Sequence, residues 1–184
     1  MTIQPEEAAR ALRDAEAAAD RSAAAVGYQR SRQYLILWGL VWAMGNLAAF
    51  LRLPLGPYAF PALMLIGVVG SFIIGMRAGR DGRRRNYALQ SLVIAAAFVL
   101  FANGVQVVAE IRSLAVAEAV ICLAIGAGYM VMGVYMGWRM SAVGVALMIA
   151  VITGWLYARE QFFLWMALAG GGGLILGGLW LRKV

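Results

Sequence analysis

The chain of 184 residues is 63% hydrophobic and only 14% charged, against about 25% charged in an ordinary soluble domain, which excludes a water-soluble globular fold. The net charge is +7, but the basic residues sit at the ends of apolar runs and form no basic-aromatic surface, which points to membrane topology and away from nucleic acid. The absence of histidine and the presence of a single cysteine, Cys122, exclude imidazole metal and haem ligation, histidine-dependent hydrolysis, an internal disulfide and a dithiol redox pair, so neither a metal site nor a cofactor is expected.

Residues 1–32 are polar and alanine-rich. Pro5 followed by Glu6 and Glu7 starts a helix, because proline fits the first turn and acidic groups favour its positive end. Glu6 with Arg10, and Arg10 with Asp14, are four apart and pair along one face. Small apolar residues recur at Ala8, Ala11, Leu12, Ala15, Ala18, Ala19 and Val26. Alanine buries little area, so this stripe predicts either a solvated helical arm or a helix that docks a protein partner. The arm is expected to run into the first apolar segment with Gly27 as its weak point. That segment begins too late to be the core of a cleaved signal peptide.

Six apolar segments of spanning length follow. They run from Gln33 to Leu53, Tyr58 to Met76, Tyr87 to Ala109, Leu114 to Trp138, Ser141 to Tyr157, and Phe162 to Leu181. The expected fold is all-α: a polytopic membrane protein with six transmembrane helices as three in-out-in hairpins. Residues 1–32 would be a cytoplasmic arm and residues 33–184 the membrane domain. Connections are short, with "LPLGP" (Leu53–Pro57) a clear break and Arg77–Asn86 the longest interior loop. Arginine and lysine alternate in abundance between successive connections, which places both termini on the cytoplasmic side of the inner (plasma) membrane. Trp155 and Trp165 then mark the outer interface, and Trp138 and Trp180 the inner one.

Glycines recur at Gly70, Gly75 and Gly79, at Gly128, Gly133 and Gly137, and at Gly172 and Gly177. The odd segments share Ala43-Met44-Gly45, Ala102-Asn103-Gly104 and Ile152-Thr153-Gly154. This suggests a threefold pseudo-repeat of hairpins about the membrane normal; the alternative is the general glycine richness of membrane helices. The run "AGGGG" (Ala169–Gly173) weakens its helix and predicts tight packing or a kink. It is no phosphate loop, since no strand precedes it and no lysine follows.

The polar residues at depth are few. Asn46 falls in the outer half of the first span. Asn103, Gln106 and Glu110 share one face of the third at spacings of three and four. Glu118 lies one to two turns into the fourth, with Cys122, Tyr129, Met132 and Met136 continuing its face. Arg52 and Arg112 stand at the outer rim. Together these seven residues (Glu118, Asn103, Gln106, Glu110, Asn46, Arg52 and Arg112) are the candidate ligand site, an outward-facing polar pocket. The alternative is interhelical hydrogen bonding, worth roughly 0.6–2 kcal/mol per group. A carboxylate in hydrocarbon is costly, so Glu118 needs an arginine, hydrogen bonds from Asn or Gln, or a proton.

Three functions fit: a non-enzymatic regulator or sensor, a small transporter or channel that uses Glu118 as coupling carboxylate, and an enzyme acting on lipid. The last is disfavoured by the missing histidine and the lack of paired carboxylates at depth. The regulator reading leads because the arm and the loop Gly79–Arg85 offer a cytoplasmic face to a protein partner, while no polar path crosses the inner half. The bilayer is the other partner. Homo-oligomerisation stays open.

Overall fold

The computed structural model describes residues 5–53, 56–78, 96–97 and 100–181. All regular structure among them is helical. Helix α1 (Pro5–Phe50) runs unbroken for 46 residues, straight through Gly27. It is followed by α2 (Gly56–Ala78), a helical stretch α3 at 100–108, α4 (Leu114–Met136), α5 (Trp138–Tyr157) and a composite α6 (Arg159–Trp180). Four stretches are long and apolar enough to cross a bilayer: Ser31–Phe50, Leu114–Met136, Trp138–Tyr157 and Arg159–Trp180. A shorter apolar stretch, Ala62–Met76, lies within α2. The expected loop Gly79–Arg85 and about half of the expected third span, residues 87–95 and 98–99, lie outside the described residues.

Helix α1 organises the bundle because small residues let α2 and α6 approach it. On one side, Gly67 faces the Trp38 ring and Gly70 faces Leu37, while Trp38 Nε1 donates to Ser71 Oγ at 3.1 Å. Tyr34 Oη reaches the Ser71 carbonyl at 3.5 Å. Residue numbers rise on α1 as they fall on α2, so the two are antiparallel. On another side, Gly39 meets Gly171 and Ile175, Gly171 meets Ala43, and Gly178 meets Arg32 and Ile36. Helix α6 is therefore also antiparallel to α1. A Cβ at Gly39 would come within 2.8 Å of the Gly171 carbonyl oxygen, a distance that only glycine permits. This is close packing of the kind that holds helices together where no hydrophobic drive exists between them.

Helices α4 and α5 form a tight hairpin. Gly137 alone joins them, at φ +113°, a left-handed conformation that glycine adopts without Cβ strain. Beyond the turn, Gly133 packs on Ser141, and Gly126 and Gly144 bring the two backbones together. Ser141 Oγ donates to the Met130 carbonyl at 3.0 Å. The hairpin docks on α1 through Tyr28 against Gly137, Ser31 Oγ to Met136 Sδ at 3.7 Å, and Trp42 against Glu118. Tyr28, Leu35, Trp42, Cys122, Val143, Val151, Phe162, Met166 and Leu174 are among the buried residues that fill the centre.

Helix α6 begins as a turn of 3-10 helix, Arg159–Gln161, and passes into a π-helical stretch, Met166–Gly171, before continuing as α-helix from Gly172. Short π segments occur as local bulges in α-helices. Here the glycine run, the weakest helix former after proline, tolerates the wider winding. The run packs tightly only in part. Gly171 is pressed against the Ala43 backbone, whereas Gly172 and Gly173 have open space where a Cβ would stand. The glycines at corresponding repeat positions also meet unlike surroundings. Gly70 faces Leu37, but Gly128 and Gly172 face nothing within 4 Å.

Candidate functional site

The polar centre of the described structure lies between α1 and α4. Glu118 is 5% exposed and Asn46 fully buried, and Trp42 Nε1 donates to Glu118 Oε1 at 2.9 Å. Asn46 stands one helical turn beyond Trp42, so both side chains lie on one face of α1. Its Nδ2 donates to the Trp42 carbonyl at 3.1 Å, and its Oδ1 has no hydrogen-bond partner. The Asn46 amide lies beside the Glu118 carboxyl. Among the described residues Glu118 is met by Trp42 and Asn46 and by no cationic side chain. What holds the carboxyl at depth is a tryptophan N–H and a neutral amide.

Tryptophan had no place in the sequence-level pocket, where aromatic residues count as core or interface. The usable signal was the spacing: Trp42 and Asn46 are four apart, and a buried indole needs an acceptor for its N–H. Glu118 is an acceptor without another obvious donor. Cys122, one turn further along α4, is buried and free. Tyr129 is half-buried, while Met132 is exposed.

The other five predicted site residues stand differently. Arg52 and Glu110 each end a helical segment at φ +48°, and both are exposed, as is Arg112. Arg52 and Arg112 flank the ends of α1 and α4 nearest Trp42 and Glu118, as rim residues would. Asn103 is exposed, and Gln106 Nε2 donates back to the Ala102 carbonyl at 3.3 Å. The hydrogen bond to Glu118 comes from α1, not from the 100–108 stripe. The tryptophans are also partly engaged inside the bundle. Trp165 Nε1 donates to the Ala150 carbonyl at 2.7 Å, and Arg159 lies over the Trp155 ring at 4.7 Å. Among the described residues no cluster of three or more Cys, Asp or Glu side chains suits a metal ion.

These features define a helical bundle with four helices long and apolar enough to cross a membrane and, among the described residues, one buried carboxyl held across a helix pair. No protein-family model matches the chain, and neither a curated protein nor a solved structure matches it.

Proposed function

We propose that the protein is a non-enzymatic membrane regulator or sensor with six spans, in which α1 links a buried polar centre to a partner-binding arm. One observation carries this reading. The same unbroken helix holds the exposed arm, with Glu6, Glu7, Arg10 and Arg13 open to solvent, and the Trp42–Asn46 face that meets Glu118. A helix of that length is about 70 Å long at 1.5 Å per residue, so a shift or rotation of α1 against α4 reaches the arm directly. Under the arginine distribution, the arm and both termini are cytoplasmic and the Glu118 end faces outward.

The six-span count has geometric support. Helices α2 and α4 both run antiparallel to α1. The chain therefore leaves α2 at one end of the bundle and enters α4 at the other, and residues 79–113 connect the two ends, as one further span would do. The threefold repeat draws no such support from the unlike surroundings of its glycines.

A transporter is the second reading, favoured by the open acceptor at Asn46 Oδ1 beside a buried carboxyl. Protonation would turn one Glu118 carboxyl oxygen from acceptor to donor beside the Trp42 and Asn46 side chains, so gain and loss of a proton would rearrange the α1–α4 contact. Two measurements separate the readings. Purified protein in liposomes is assayed for proton-driven flux, and wild type and a truncation lacking residues 1–26 are compared in pulldown of soluble proteins. A regulator gives no flux and loses its partner on truncation while the bundle stays folded. Flux abolished by Glu118→Gln establishes the transporter and removes the regulator.

A further inference from the structure

Among the described residues, helices α5 and α6 leave an open apolar groove of about 390 Å³ on the face of α6 turned away from α1. Its floor is made of small residues, Ala142, Ala146, Ala169, Gly170, Gly173 and Gly177, and Trp180 closes one end. Arg139 lies at that end. It precedes Ala142, Val143 and Ala146 on the same face of α5, at helical spacings of three, four and seven. Its guanidinium lies 5.1 Å from the centre of the Trp180 ring, and that ring packs edge-on against Trp138 at 5.5 Å. The guanidinium is thus fixed by cation–π contact, yet its Nη1 is buried with no hydrogen-bond partner.

The groove and the guanidinium specify one occupant together. Eleven residues of helix separate Ala169 from Trp180, about 16 Å of rise, close to the ~15 Å depth of one leaflet's hydrocarbon. The groove lies along a helix that crosses the bilayer, so it runs parallel to lipid chains. An indole pair at its end marks the headgroup level. A planar guanidinium with an unused N–H is the group best matched to a phosphate oxygen, and Arg182 and Lys183 follow directly in the sequence. Basic pockets between membrane helices take anionic lipid headgroups in this way. We propose that this groove is a binding site for one anionic phospholipid, its acyl chain along Gly173 and Gly177 and its phosphate on Arg139. The site is independent of Glu118 and of the regulator reading.

The test is thermal unfolding of the full chain in mild detergent with added phosphatidylglycerol, phosphatidylcholine, glycerophosphoglycerol or inorganic phosphate. Phosphatidylglycerol is expected to raise Tm in a saturable manner, by mass action on the folded state, and the two water-soluble phosphates to leave it unchanged. Arg139→Gln should weaken the apparent lipid affinity roughly ten- to hundredfold, the scale of one charged hydrogen bond. Gly173→Leu projects a side chain into the groove from a position where a Cβ meets nothing within 4 Å, and it should lose the lipid effect while folding normally. Arg32→Gln is the control, because Arg32 also carries a buried unpartnered nitrogen but belongs to α1, with its backbone carbonyl against Gly178 on the side of α6 away from the groove. Equal stabilisation by phosphatidylcholine, equal stabilisation by inorganic phosphate, or full lipid response in either Arg139→Gln or Gly173→Leu overturns the site.

Discussion

Replacing Trp42 by phenylalanine removes one N–H and leaves the Glu118 carboxyl, 5% exposed, without the donor now 2.9 Å away. Interhelical hydrogen bonds in membranes contribute roughly 0.6–2 kcal/mol, and stranding a buried polar partner costs about 1–3 kcal/mol. For a chain of this size each kcal/mol moves Tm by roughly 2–4 °C, so Trp42→Phe should lower Tm in detergent by about 2–12 °C. Glu118→Gln keeps an acceptor oxygen of the same shape and should be close to silent in stability. Glu118→Leu strands the Trp42 N–H and should cost about as much as Trp42→Phe. Trp42 also loses ring area on substitution, so the decisive measurement is the double variant Trp42→Phe/Glu118→Leu. With both polar groups gone, it should unfold well above the temperature expected from adding the two single losses, with a coupling of about 1 kcal/mol. Strict additivity, or a Trp42→Phe protein with the Tm of wild type, refutes the claim that this hydrogen bond joins α1 to α4.

Three further outcomes follow from the packing. Gly39→Val drives side-chain atoms into the Gly171 carbonyl and Ile175 and should cost about 1–3 kcal/mol or more, seen as early unfolding or loss of monodisperse protein in size-exclusion chromatography. Gly172→Ala adds a methyl where nothing lies within 4 Å and should raise stability by about 0.5–1 kcal/mol through helix propensity. Cys122, 1% exposed, should resist maleimide labelling in the folded protein and react fully once the bundle is denatured; rapid labelling of the native state would mean that the α1–α4 interface opens.

Hydrophobicity in long runs located α1, α4, α5 and α6 to within a few residues, because each span is set by bilayer thickness. Isolation in an apolar run was enough to single out Glu118, and the structure buries it. Its partner was not legible, since a tryptophan in a span reads equally well as core, as interface belt or as donor. Only the facing helix distinguishes these, and sequence spacing is silent on which helices face. The polar stripe was legible in the same partial way, as a face without its partners. Asn103, Gln106 and Glu110 do share a helical face, yet Gln106 spends its amide on its own backbone. The glycine spacings reported where close approach is allowed, not where it occurs: Gly133 is pressed against the Ser141 backbone, while a Cβ at Gly104, Gly128 or Gly172 would meet nothing within 4 Å, and the tight contacts at Gly39 and Gly126 fall outside those spacings.

The central place of α1 has a consequence for assembly. Its neighbours are made in the order α2, α4, α6, and the Gly39 and Ala43 surface meets residues about 130 positions later in the chain. A chain that inserts as it is made would bring α1 into the bilayer with Asn46 and the Trp42 N–H facing lipid or transient company. The acceptor at Glu118 arrives only with α4, and the glycine seam is closed only by α6. Among the described helices, α1 is thus made before every partner it packs against and waits longest for its contacts. Any factor that shelters polar spans during insertion would find its longest-lived client here in α1.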